Sequence, residues 1–171
     1  MRVSLAALLT LTLPSGCGPG YKGADTTGTA TAPTVSPDAR LAKPSDEATA
    51  KLLAALPAPY NTADLLNGQR QSALCRSCHT FTEGGPDLTG PNLHGVFGRR
   101  VGSKPGYAYS KAVKAATFTW DAAKLDQWLA DPKGFLPGTK MTFLGIRDPK
   151  DRIDLIAFLK VQTGYQPPAA P

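Results

Sequence analysis

The run Cys75-Arg76-Ser77-Cys78-His79 constrains this chain more than any other feature. Two thiols three positions apart, with a histidine directly after them, are what covalent haem attachment requires. The thiols add across the two porphyrin vinyl groups, and the imidazole then lies under the ring within reach of the iron. A bare Cys-x-x-Cys would leave zinc or a redox dithiol as readings. The appended histidine favours haem, and the bland alternative is a chance match. As a large apolar insert, a haem would also enlarge the core of a small domain.

An iron that only exchanges electrons needs a ligand on its other face, commonly a methionine sulfur. The chain has two methionines, Met1 and Met141. Met1 opens a stretch read below as a removed leader, so Met141 is the expected second ligand. It lies 62 residues after His79, in Pro137-Gly138-Thr139-Lys140-Met141-Thr142-Phe143. Proline and glycine make this a loop, which can turn a side chain inwards. The competing reading is a methionine that fills a gap in the core.

The amino terminus reads as an export signal. Met1-Arg2 precedes an eleven-residue apolar run, Val3 to Leu13, too short to span a bilayer. Ser15-Gly16-Cys17 follows, small residues before a cysteine, similar to a bacterial lipoprotein box although Pro14 departs from it. Residues 1–17 are thus expected to be a signal peptide, with Cys17 a candidate for lipidation. The competing reading is ordinary signal cleavage and a soluble protein. Cys75 and Cys78 are the other two cysteines, so no pair is left over for a structural disulfide.

Residues 18–60 are assigned as a linker. The stretch 18–44 is Gly, Thr, Ala and Pro with too few large apolar groups to fold. Within the linker a short helix is expected over 47–56, opened by Ser45-Asp46-Glu47 and stopped at Pro57. Leu52, Leu53 and Leu56 could dock it on the domain, which the sequence does not decide. The domain itself is assigned to 61–165 and the tail 166–171 to disorder. Helices are expected over 62–74, with Asn61 and Asp64 as a capping pair, 110–116, 121–130, ending before Pro132, and from Asp148 through about Gln162. Ile153, Ile156, Ala157 and Lys160 against Leu155, Phe158 and Leu159 give the last helix a broad apolar face. Strand-like alternation and internal repeats are absent, so the expected class is all-α with long Gly/Pro loops.

From Cys75 to about Lys160 the chain resembles the class I cytochromes c, specifically the mitochondrial cytochrome c and bacterial cytochrome c2 branch. The resemblance rests on Cys75–Thr80, Thr89-Gly90-Pro91-Asn92-Leu93-His94-Gly95-Val96-Phe97-Gly98-Arg99, Pro105–Ser110, Pro137–Phe143 and the final Asp154–Lys160. It implies helices packed around one haem c, covalent through Cys75 and Cys78, with His79 and Met141 as axial ligands. It further implies that the Pro91 carbonyl orients His79. Arg99, Tyr109 and Trp120 would contact a buried haem propionate, with Thr139 near that propionate and the methionine loop. There are departures. Gln71 stands where the family has an apolar residue that packs the first helix on the last, a task left to Leu65, Leu66 and Leu74. Trp128 replaces a tyrosine near the methionine sulfur, and Val113 an interior asparagine. The lysine ring at the haem edge is thin: Gln69, Leu74, Pro86 and Leu88 fall on it, while Lys133, Lys140 and Arg147 remain.

Formal net charge is +6. Residues 61–171 carry 14 Lys and Arg against 9 Asp and Glu, so the basic part is the haem-bearing part. That suits an acidic redox partner. Nucleic acid is excluded as a partner, because Arg99-Arg100 is the only adjacent basic pair. The resulting expectation is a monomeric one-electron carrier in the periplasm, with Cys17 as the candidate membrane tether. It would serve redox proteins such as a bc1 complex, a terminal oxidase or a photosynthetic reaction centre. The alternative class is a haem enzyme, a peroxidase or gas-binding cytochrome. That would need an open sixth position and a distal acid or base, for which His94 is the one spare histidine.

Overall fold

The computed structural model describes residues 46–167, all within one compact unit. The leader, Cys17, the 18–44 stretch and residues 168–171 of the tail lie outside the described residues. Six α-helices follow in order: α1 (Asp46–Ala54), α2 (Leu65–Arg76), α3 (Lys111–Ala115), α4 (Ala122–Ala130), α5 (Pro132–Phe135) and α6 (Pro149–Gln162). A 3-10 turn, Tyr60–Thr62, joins α1 to α2. Among the described residues no strand forms, and their extended pairing is an isolated antiparallel bridge between Arg100 and Thr119.

Short polar side chains set the helix starts. A side chain that accepts from the otherwise unpaired N–H groups of a first turn holds the chain in helix there. Asp64 accepts from Leu66 and Asn67 at 2.9 and 3.0 Å. Ser110 opens α3, Asp121 opens α4, and Asp148, followed by Pro149, opens α6. Two details differ from expectation. The first haem-domain helix starts at Leu65 rather than residue 62, because Asp64 alone caps it and Asn61 belongs to the 3-10 turn. The chain also resumes helix at Pro132, as α5, because Asp131 caps it by accepting from Gly134 at 3.0 Å. Proline fits that first position, where no N–H is needed.

The core is Phe81, Leu125, Trp128, Leu129, Ile146, Leu155, Ile156, Phe158 and Leu159. α6 runs through its middle. Every residue from Asp154 to Val161 is buried, so the helix has an enclosed middle rather than one apolar face. Burying Leu155 and Ile156 completely stabilises the fold by roughly 1.5–3 kcal/mol each.

The packing of α2 on α6 corrects a sequence expectation. Leu66 and Leu74 do not make it; they are 67% and 55% exposed. Leu65 does pack against the core. The close approach comes from the small residues Gly68 and Ser72, both buried. A Cβ on Gly68 would strike the Asp154 carbonyl and stand 2.6 Å from Phe158 Cβ. The seam is closed by Asp154, 1% exposed, which accepts from the Asp64 N–H, from Asn67 Nδ2 and from Lys150 Nζ.

Residues 46–60, read from sequence as the end of a linker, are part of this packing. α1 and the 3-10 turn lie against α6, and Leu56 is 3% exposed. The docking left open by the sequence is therefore observed. No helix among the described residues is long and apolar enough to cross a membrane.

Candidate haem site

One cavity of about 390 Å³ opens between the end of α2, the 89–113 loop, α4 and the 139–143 loop. All nine residues singled out from sequence line it: Cys75, Cys78, His79, Pro91, Arg99, Tyr109, Trp120, Thr139 and Met141. His94, the spare histidine, is not among its lining residues.

The motif straddles the end of α2. Cys75 sits in the last turn, and the His79 N–H donates to the Cys75 carbonyl at 2.9 Å, which folds the motif back on itself. Both cysteines are half-buried and neither is in a disulfide. Burial pushes the Cys75 thiol up to about 11. A neutral thiol in an apolar wall is inert to solvent and suited to becoming a thioether.

His79 is held by its Nδ1, 2.7 Å from the Pro91 carbonyl oxygen. A carbonyl only accepts, so Nδ1 carries the proton and Nε2 keeps its lone pair. Burial lowers the pKa of this imidazole, and the Pro91 bond only partly opposes that, so the ring is neutral, the form that binds metal. Gly90 makes room for it. A Cβ there would stand 2.7 Å from both ring nitrogens and closer still to Cε1.

Arg99 and Trp120 come together through the bridge. The Trp120 N–H donates to Arg99 O at 2.9 Å and Gly98 N–H to Trp120 O at 2.8 Å. The Arg99 guanidinium donates to the carbonyls of His94 and Asn92, both at 3.2 Å. Burial lowers its pKa. Among the described residues it forms no ion pair, so it is a cation on the cavity wall suited to an acidic group. Tyr109 stacks edge-on against Tyr107 at 4.7 Å, and burial raises the pKa of its hydroxyl. Thr139 Oγ1 accepts from the Met141 N–H at 3.2 Å, shaping the turn that carries the sulfur. Lys140 reaches across to the Ala108 carbonyl at 3.1 Å and ties the two loops.

The sequence reading missed part of the wall. Tyr107 lines the cavity and donates its hydroxyl to Thr89 O at 2.6 Å. Its signal is the Pro105–Ser110 stretch, where Tyr107 stands two residues before Tyr109. Leu125, Leu129 and Leu159 also line the wall, but nothing local distinguishes a haem-facing leucine from a core one. Trp128 and Val113 line it too, and Trp128 packs edge-on against Trp120 at 5.3 Å. The donors present fit a covalently bound haem: two thiols, a neutral imidazole with one nitrogen free, a thioether, a cation and apolar walls.

No family model matches the chain. Curated relatives do. Cytochrome c2 of Rhodomicrobium vannielii is 42% identical over 105 residues, 61% of this chain and 84% of that protein. Cytochrome c of Chlamydomonas reinhardtii is 46% identical over 101 residues, 58% of this chain and 90% of that protein. Among solved structures, cytochrome cH from Methylobacterium extorquens is 48% identical, with a TM-score of 0.54 over 57% of this chain and 98% of that one. With near-complete relatives matched at this identity, and with a helical fold whose described residues enclose a cavity at the Cys-x-x-Cys-His motif, the chain belongs to the class I cytochrome c family: it is an electron carrier with one covalently attached c-type haem, not an enzyme.

Proposed function

We propose that the haem iron is held by His79 Nε2 on one face and Met141 sulfur on the other, and that the protein shuttles single electrons in an exported respiratory or photosynthetic chain. The observation that carries the ligand set is that His79 and Met141, 62 residues apart in sequence, line the same cavity. The bound haem supplies a ferrous/ferric couple. The chain does the rest. Cys75 and Cys78 hold the ring covalently. The Pro91 carbonyl fixes the His79 tautomer and raises its basicity. Arg99, Tyr109 and Trp120 hold a propionate, and Thr139 sets the methionine turn. Leu125, Leu129 and Leu159 keep water off the ring. With His79 and Met141 as its two ligands, the bound haem would exchange single electrons with no substrate approaching the iron.

The remaining assignments rest on the sequence: residues 1–17 direct export to the periplasm, Cys17 carries a lipid, the following stretch is a tether, and the carrier is a monomer. The basic domain favours an acidic docking face on a partner such as a bc1 complex, an oxidase or a reaction centre. Met141→Ala should keep covalent haem but lose the methionine-to-iron charge-transfer band of the oxidised protein. A wild type without that band, or a variant that retains it, refutes the ligand assignment. Cys17→Ser should move the protein from membranes to the soluble fraction, and a wild type already soluble removes the anchor.

A further inference from the structure

Lys160 is the least expected side chain in the fold. It lies in the middle of the enclosed stretch of α6 and is 4% exposed. Its ammonium sits 3.4 Å from the Tyr165 ring centroid, 4.5 Å from Phe97 and 6.0 Å from Tyr60. Among the described residues it forms no ion pair. The three rings come from three separate segments: the 3-10 turn after α1, the loop that carries Arg99, and the end of the chain. The last is fastened by the Tyr165 N–H, which donates to Lys160 O at 3.3 Å.

Two effects oppose each other on this nitrogen. Ring faces attract an ammonium, more so where water is excluded. Taking an unpaired charge out of water is unfavourable. Burial is the larger effect and lowers the Lys160 pKa from its ordinary 10.5 to about 8, with Asp121 opposing weakly. A lysine whose folded pKa is depressed binds fewer protons docked than released. Docking therefore strengthens as pH rises through the folded value towards the ordinary one.

We infer that Lys160 is a proton-sensitive latch on the amino-terminal segment: while protonated it weakens the docking of residues 46–62 and the chain end on α6, and once the proton leaves for solvent that docking tightens. The segment it governs joins the first 45 residues to the carrier, so under the tether reading it sets how far the domain reaches from Cys17. The latch itself depends neither on that reading nor on the ligand set. The other titratable groups around it are the Tyr60 and Tyr165 hydroxyls, Asp121 and Asp126 on the α4 side, and His94 beside Gly164. Tyr60 is raised above its usual value by burial, with Asp126 and Asp121 adding to it.

The test is amide hydrogen exchange of the full haem-loaded protein between about pH 7 and about pH 9.5, below the ordinary tyrosine range. Protection factors, corrected for intrinsic exchange, are read for residues 46–62. In the wild type, protection should rise by roughly 25-fold across this range, the change expected for one proton held with a value of about 8 when docked and 10.5 when released. Lys160→Met should give high protection that does not vary with pH. Lys160→Arg, which keeps its charge, should give low protection that does not vary. Wild-type protection that is flat or falls with pH overturns the inference, as does an unchanged slope in either variant. If neither variant folds, the sign of the wild-type slope alone decides.

Discussion

Gly90→Ala tests the histidine cradle more directly than any change to the ligand itself. Gly90 is buried, and its N–H donates to the Cys78 carbonyl at 2.8 Å. Its backbone is not in the left-handed region, so alanine is tolerated by the chain and only the added methyl acts. That methyl would stand 2.7 Å from both ring nitrogens of His79, whereas unstrained contacts are about 3.5–4.0 Å. The imidazole must move by roughly 1 Å. Such a shift pulls the 2.7 Å bond between Nδ1 and Pro91 O out of hydrogen-bonding range. Overpacking disfavours the fold by about 1–3 kcal/mol, and the lost bond by about 0.5–1.5 kcal/mol. The lower unfolded-state entropy of alanine returns about 0.4–1 kcal/mol. The net is about 1–3 kcal/mol, and at roughly 4–8 °C per kcal/mol the thermal midpoint should fall by about 5–20 °C. The bond to Pro91 also makes the imidazole a better donor to ferric iron, so its loss should raise the potential. A differential of about 1 kcal/mol corresponds to about 40 mV for one electron. Thermal unfolding followed in the Soret region, with redox titration of the same protein, measures both. An unchanged midpoint would refute the cradle. A lower midpoint with an unchanged potential would place the strain on the backbone rather than on the ring.

Gly68→Ala should destabilise by about 1–3 kcal/mol despite alanine's better helix propensity, because the new Cβ strikes the Asp154 carbonyl; a variant more stable than wild type in denaturant titration would contradict the close helix approach. Asp154→Ala should destabilise by about 1–3 kcal/mol, by stripping the Asp64 N–H of its acceptor and leaving the Asn67 amide with Asp151 alone. Burial raises the Asp154 pKa, but hydrogen bonds from Lys150, Asn67 and Asp64 outweigh it and leave the pKa lowered. Its contribution should therefore be complete above about pH 4 and disappear as pH falls through the lowered folded value, so the acid-unfolding curves of wild type and variant should converge at low pH.

The sequence by itself determined the cofactor, the helical class and most helix starts, because these depend on local chemistry. Two thiols and an imidazole at fixed spacing hold one group, and an aspartate or serine before a helical run caps whatever follows it. The place of Met141 on the cavity wall has a related reason, a Pro/Gly loop that can turn a side chain inwards. What only the tertiary structure decided is how distant segments meet. The α2–α6 seam belongs to Gly68 and Ser72 rather than to the exposed Leu66 and Leu74, because close packing selects for small side chains that no periodicity announces. The docking of α1 through Leu56 depended on a site on α6 that exists only once the chain has folded. Lys160, read from sequence as one member of a broad helical face, became a buried cation because Tyr60, Phe97 and Tyr165 converge on it from 100, 63 and 5 residues away. Burial and ring contact are properties of the assembled neighbourhood, and no single segment contains them.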